Sequence, residues 1–256
     1  NHEVCLAALW RPGDSAGSPI EEFSRVIKVH HARKPGRRLM QIALSPLEAG
    51  PYLQTVHESA AMQALVNEIA GNFDAVQAEF PYTAQYITHL PVMKVLDQHN
   101  VESEILRLSL RMEKNWARRA NYFLQYRKMK AYERWVCGKM DAILATSEDD
   151  RRNLSALNRN VLTIPNAVSE VAQAAEDRAN KLITFTGLMS YPANVDAMEH
   201  FAGQVWPLVR RGEPGARLLI VGRNPVPQVL KLNGVEGIEV EGLRTGAAHD
   251  VLGENI

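Results

Sequence analysis

Short apolar runs recur along this chain, and turn-forming residues close several of them. Residues 4–10 form the first run, stopped by Pro12-Gly13. Residues 26–29, 75–78, 92–96, 142–145 and 161–164 follow. Continuous apolar character without strict alternation predicts strands buried on both faces of a parallel sheet. Helical patterns lie between several of these runs. Residues 52–70 are rich in Ala, Leu and Glu with apolar positions at helical spacing, and Gly71 supplies a C-terminal stop. Residues 103–138 contain no Pro, and no Gly before Gly138, which predicts a long helix. Ser103 is its candidate cap, and Glu104 suits the positive end of its dipole. Tyr122, Tyr126, Met129, Glu133 and Val136 share one face of that helix. A break at Asn115 or Asn121 would divide it in two.

Around residues 169–180 the chain turns polar and small, which predicts an interdomain linker. The alternation then restarts, with strands at 182–186, 217–221 and 238–241 and helices at 194–211 and 227–232. Strands alternating with helices imply crossover units and parallel sheets. The expected architecture is α/β: a parallel-sheet domain over 1–168, the linker over 169–180, and a second parallel-sheet domain over 181–256, which the resemblance given below implies are both Rossmann-like. Three strands make a small sheet for the second domain. That domain is read either as a small accessory unit or, preferably, as part of a fragment clipped at both ends of a longer two-domain enzyme.

Composition narrows the classes. Hydrophobic residues make up 46% of the 256 positions, enough for a proper core. Lys plus Arg equals 29 and so does Asp plus Glu, so the chain is no general polyanion binder, and nucleic acid is disfavoured as a partner. No apolar run approaches membrane-span length and no signal peptide is evident, so the expected location is cytoplasmic. Two cysteines, Cys5 and Cys137, cannot build a disulfide framework or a zinc knuckle. The dinucleotide, phosphate-loop, nucleophile-elbow and zinc-protease motifs are absent. So is the Asp-x-Asp string, and no metal site is expected.

Four strand ends carry the candidate chemistry, because ligands of open parallel sheets gather at the carboxyl ends of the strands. The first is Asp97-Gln98-His99-Asn100-Val101-Glu102-Ser103. A histidine beside a helix N-terminus feels the positive dipole end, which favours the neutral ring able to accept a proton from an incoming hydroxyl. A turn histidine with a capping role is the competing reading. The second is Thr146-Ser147-Glu148, where Ser147 resembles a plain helix cap. The third is Ile164-Pro165-Asn166, equally a hinge or a ligand contact. The fourth joins Thr186-Gly187 with Gly222-Arg223. A glycine there lets a bound group approach the backbone, and Arg223 suits phosphate oxygens. An ordinary turn glycine is the alternative.

Taken in order, these strings resemble the group-1 (family 4) glycosyltransferases of the two-Rossmann GT-B fold, in the branch linked to bacterial exopolysaccharide and protein-sorting systems. The resemblance rests on His99-Asn100-Val101-Glu102-Ser103, Asp141-Ala142-Ile143-Leu144-Ala145-Thr146-Ser147-Glu148, Ile164-Pro165-Asn166-Ala167-Val168, Phe185-Thr186-Gly187 ahead of Pro192-Ala193-Asn194, Val205-Trp206-Pro207-Leu208, and Ala216 through Pro225. They span most of residues 74–243.

The resemblance implies retaining transfer of a sugar from a nucleotide-diphosphate donor to a hydroxyl acceptor, in polysaccharide or glycoconjugate synthesis, in a cleft between the domains. It implies His99 as the catalytic group. Asn100, Glu102, Ser147 and Asn166 would contact substrate. Gly187, Gly222, Arg223 and Gly242 would serve the donor diphosphate and nucleotide. No cofactor is implied beyond the nucleotide sugar. Where such family members carry an Arg/Lys pair after Gly187, this chain has Leu188, Met189 and Ser190, and Ala167 stands where a Gly is usual. The family's first strand with its Gly-bearing loop is expected ahead of Asn1, and its Glu-x7-Glu segment beyond Ile256. A GT-B sugar-nucleotide epimerase and an inactive remnant or interaction module are the alternatives. Ten Lys and Arg residues between Arg107 and Lys139, both included, also suggest a helix resting on an anionic membrane, where a lipid-linked or polysaccharide acceptor is presented.

Overall fold

The computed structural model describes residues 2–10, 23–31, 47–167 and 181–242. The chain divides into two compact units, Asn1–Ala167 and Val168–Ile256. The proposed linker at 169–180 and Leu243 onwards lie outside the described residues, as does the Pro12-Gly13 stop.

Every strand pairing in the first unit is parallel. β1 (Cys5–Trp10) pairs with β2 (Arg25–His30) in a two-stranded sheet. β3 (Ala75–Glu79), β4 (Met93–Gln98), β5 (Ala142–Ala145) and β6 (Val161–Thr163) form a second sheet in that order. The residues of β1 are all half-buried, so this strand is less enclosed than its apolar run predicts. The helical pattern over 52–70 divides into α1 (Tyr52–Thr55) and α2 (Ala60–Ile69). Ser59 causes the division: its hydroxyl accepts from the Met62 backbone N–H at 3.2 Å and starts the second helix afresh.

The long helical pattern divides at Asn115, into α3 (Glu102–Met112) and α4 (Trp116–Cys137). The Asn115 side chain accepts from the N–H groups of Ala117 and Arg118 and caps α4. Ser103, expected to cap the first helix, lies inside α3 and is buried. Val101 holds the cap position with no side-chain bond, and the Ser103 N–H goes instead to the Glu133 carboxylate at 3.3 Å. Met129, Tyr132, Glu133 and Val136 form the buried face of α4, while Tyr122 and Tyr126 are only half-buried. The apolar members of that face pack with Leu96, Ile143 and Leu154 into one core. α5 (Glu148–Leu154) follows β5.

The second unit is a three-stranded parallel sheet in the order β7 (Leu182–Leu188), β8 (Arg217–Arg223), β9 (Ile238–Gly242). The helix expected over 194–211 appears as α6 (Pro192–His200) and α7 (Trp206–Gly212), joined by a π-helical turn at Phe201–Val205. A short α8 (Pro227–Leu230) precedes β9. Trp206 is the largest fully buried side chain among the described residues, and its indole N–H donates to the Glu236 carbonyl at 2.9 Å. Met189, Met198, Leu218, Ile220 and Val229 pack with it in this core.

Candidate functional site

In the first unit the chemistry-bearing side chains converge where β3 and β4 end. Glu79 and Asp97 are direct register partners across these strands. His99 follows two residues after Asp97, and its Nε2 lies 2.7 Å from Glu79 Oε2. Phe80 stacks on the His99 ring with centroids 4.5 Å apart. Phe80 adopts a φ of 70°, a left-handed backbone that costs a bulky residue energy and persists only where its surroundings hold it. Its N–H donates to the Asp97 carbonyl at 2.9 Å, which locks that turn. The stack continues from Phe80 to Tyr82 and from Tyr82 to His57. His99 is thus fixed by a carboxylate at one ring nitrogen and an aromatic face against the ring. The helix dipole considered from the sequence is not the only field acting on it.

Behind this pair lies a buried polar group. Glu133, 1% exposed, accepts from the Gln98 side-chain amide at 3.0 Å and from the Ser103 N–H. A carboxylate from another helix therefore does the work expected of a Ser103 cap. Burial raises the proton affinity of Glu133. Burial, and secondarily the charge of Glu133, push the Glu102 carboxyl up to about 7. Asp97 is raised as well, first by burial and then by the charge of Glu79. A carboxyl held near neutrality, as Glu102 is, can take up or release a proton at working pH.

The other residues expected in this unit have varied placements. Asn100 is exposed beside His99. Thr146 Oγ1 donates to the His99 carbonyl at 3.1 Å, which ties the end of β5 to the same loop. The Ser147 hydroxyl accepts from the Asp150 N–H at 3.1 Å and lies 2.7 Å from the Asp150 carboxylate, so it acts as the cap of α5. Asn166 is exposed past the end of β6. Glu79, Phe80 and Glu133 were not picked out as site residues from sequence. Glu79 could have been, because an acidic residue closing an apolar run marks a strand end. Glu133 could not, since thirty residues separate it from Ser103. Among the described residues, Glu79, Asp97 and His99 are the one set of three potential metal ligands, with atoms within 4.8 Å of one another.

In the second unit, Gly187, Gly222 and Gly242 are aligned. Gly187 pairs with Gly222 and Gly222 with Gly242, so a row without side chains crosses the carboxyl edge of the sheet. The three glycines have different surroundings. A Cβ on Gly222 would overlap the Gly187 carbonyl oxygen, and one on Gly187 would lie 2.8 Å from the Asn194 amide. At Gly222 the protein's own backbone requires glycine, whereas at Gly187 the close atom is the tip of the Asn194 side chain, which can turn aside. At Gly242 an added Cβ meets no described atom within 4 Å. Arg223 is the register partner of Leu188, and its exposed guanidinium pairs with no acidic side chain among the described residues. Asn224 beyond it has a φ of 54°. α6 begins shortly after β7, and its first turn has no side-chain cap.

No family model matches the chain, and no curated protein matches it in sequence. Solved structures resemble it in fold. A point mutant of Staphylococcus aureus TarM, in complex with fondaparinux, α-GlcNAc-glycerol and UDP, has a TM-score of 0.50 at 15% identity, over 75% of this chain and 38% of TarM. The UDP-GlcNAc 2-epimerase of Neisseria meningitidis, bound to UDP-GlcNAc, has a TM-score of 0.41 at 12% identity, over 88% of this chain and 67% of that one. The fold is α/β with parallel sheets, of the Rossmann-like GT-B type. This chain spans well under half the length of TarM.

Proposed function

We propose that this polypeptide is part of a retaining glycosyltransferase that moves a sugar from a nucleotide-diphosphate donor to a hydroxyl acceptor. The observation that carries the reading is the glycine row with Arg223 and the uncapped start of α6 at the same edge. A helix start and a guanidinium free of acidic partners among the described residues suit a diphosphate, although Pro192 opens α6 without an N–H and the Asn194 N–H is bonded to the Tyr191 carbonyl. Loss of the nucleotide develops negative charge on the leaving phosphate, and each fixed donor aimed there lowers the barrier by roughly 3–4 kcal/mol. The fold likeness to a protein crystallised with UDP supports UDP as the first probe.

In this reading His99 is the catalytic group of the first unit and Glu79 its positioning residue. Asn100, Glu102 and Asn166 remain candidate substrate contacts. Ser147 is left to its cap. The reaction is proposed to use no cofactor besides the donor and no metal. The Glu79–Asp97–His99 group would also suit proton removal from a sugar carbon, the chemistry of an epimerase. Product analysis separates the two: a sugar joined to acceptor supports transfer, and an epimerised nucleotide sugar without transfer supports the alternative. Calorimetry with UDP tests the common part. Saturable binding that weakens about tenfold in Arg223→Ala is expected. Absence of UDP binding by the full-length gene product would overturn the reading.

The acceptor is proposed to be lipid-linked or polysaccharide, met at an anionic membrane surface. No helix among the described residues is long and apolar enough to cross a membrane. The start of α4 carries Trp116 at 81% exposure and Phe123, seven residues on and so on the same face, at 51%. Arg118 and Arg119 lie beside them and are exposed. Apolar rings with cationic neighbours suit the headgroup region of an anionic bilayer.

A further inference from the structure

Glu133 is a buried acid that the proposed reaction does not use. It is 1% exposed, and among the described residues no Lys, Arg or His pairs with its carboxyl. A buried acid without a cation contributes little net stability, because its desolvation offsets its bonds. Its use lies in what it holds.

It holds the two ends of one short stretch. Its Oε1 accepts from the Gln98 side-chain amide at 3.0 Å, and its Oε2 from the Ser103 N–H at 3.3 Å. Between those residues lie His99, Asn100, Val101 and Glu102, where the chain passes from β4 into α3. Neither end has a substitute among the described residues. Gln98 Oε1 is buried without a partner, so the bond to Glu133 is the only one that side chain makes. Val101, at the cap of α3, makes no side-chain bond. Thr146 adds one further tie, at the His99 carbonyl.

The anchorage of Glu133 itself is deep. Met129 and Val136, four residues before it and three after, share its face of α4 and are fully buried. They pack in one core with Leu96 of β4 and Ile143 of β5. The carboxyl is therefore fixed to the sheet, not to the stretch it holds.

We propose that Glu133 is a positioning residue for His99: it clamps both ends of the stretch that carries the imidazole and so sets the ring against Glu79 and Phe80. It acts through the main chain. The ring contacts come from Glu79 and Phe80, at the end of another strand, so the His99 backbone must be held in place for them to form. Displacement of a catalytic group by about 1 Å can cost about 100-fold in rate. The catalytic part of the proposal rests on the reading of His99 as the catalytic group; the clamp rests on geometry alone.

Reach, more than charge, is the requirement. Glu133→Asp keeps the acid but is one methylene shorter and cannot span both donors. Glu133→Gln keeps the length, and its carbonyl oxygen accepts from one donor only.

NMR on the full-length protein tests the clamp without substrate. The His99 ring protons of wild type should be shifted upfield by the Phe80 face, since the centroids lie 4.5 Å apart. Glu133→Ala and Glu133→Asp should each lose at least about half of that shift, and Glu133→Gln less. The amides of residues 99–102 should exchange about tenfold or more faster in these two variants, with those of β5 within about twofold of wild type. Unchanged His99 shifts would overturn the proposal. So would exchange in β5 that quickens as much as in 99–102, the mark of a merely structural residue. If Glu133→Ala does not fold, Glu133→Asp and Glu133→Gln carry the same comparison.

Steady-state UDP release from UDP-GlcNAc is a separate arm. Glu133→Asp should lower kcat about tenfold or more with KM within about twofold. An unchanged kcat despite a lost ring shift would remove Glu133 from the positioning role. No UDP release by wild type, or an unchanged rate in His99→Ala, counts against the catalytic reading, while the ring shift still decides the clamp.

Discussion

Gly222 has no room for a side chain because the carbonyl of Gly187, its partner on the neighbouring strand, occupies the space a Cβ would take. The carboxyl edge of the second unit's sheet is therefore shaped by a backbone contact within the protein. Gly222→Ala should force β7 and β8 apart and destabilise the protein by about 1–3 kcal/mol. Gly242→Ala, in open space, should change stability by no more than about 0.5 kcal/mol. Urea midpoints of the two variants check this, and equal midpoints would contradict the packing argument.

The contact between Glu79 and His99 leads to a second expectation. Glu79→Gln keeps the shape but removes the charge that orients the ring, so turnover should fall about tenfold or more, with substrate affinity held within about twofold. His99→Ala should lower turnover by about 100-fold or more. Steady-state kinetics on the full-length protein decide. An unchanged pH–rate profile in Glu79→Gln would remove Glu79 from the positioning role.

Glu102 should make stability depend on pH. Its carboxyl is raised from 4.5 to about 7 in the folded protein, so the fold favours the protonated form. The stabilisation from that proton is complete below about pH 4.5 and is lost as pH rises through about 7. Glu102→Gln is neutral at every pH. It should therefore stabilise the protein by about 1–2 kcal/mol at pH ~8, below the ceiling set by the shift, and by little at pH ~4.5. Denaturant midpoints at the two pH values measure the difference. A gain that is the same at both would show that ionisation is not the cause.

Trp116 offers a test of membrane contact. Wild-type protein should float with vesicles containing anionic lipid and not with neutral ones. Trp116→Ser should reduce flotation several-fold without changing the melting temperature, since the ring is 81% exposed. Equal partitioning of wild type and variant would dismiss α4 as the docking element.

The pattern of apolar runs was enough to locate all nine described strands, because short apolar runs bounded by turn residues favour strands; how far each is enclosed differs, β5 being largely buried and β7 largely exposed. It also placed the glycines at strand ends and the helix break at Asn115 among its two candidates. Tertiary structure decided the rest. Ser103 lost the cap to Glu133, and Ser59 divided a helix that periodicity alone left whole. The alignment of Gly187, Gly222 and Gly242 depends on strand register, which no local stretch encodes. His99 could be singled out by its place before a helix. Its partners Glu79 and Phe80 come from the end of a different strand, brought to it only when β3 and β4 pair. Local sequence dictates what each segment must bury; which side chains then meet is settled by the packing of segments far apart in the chain.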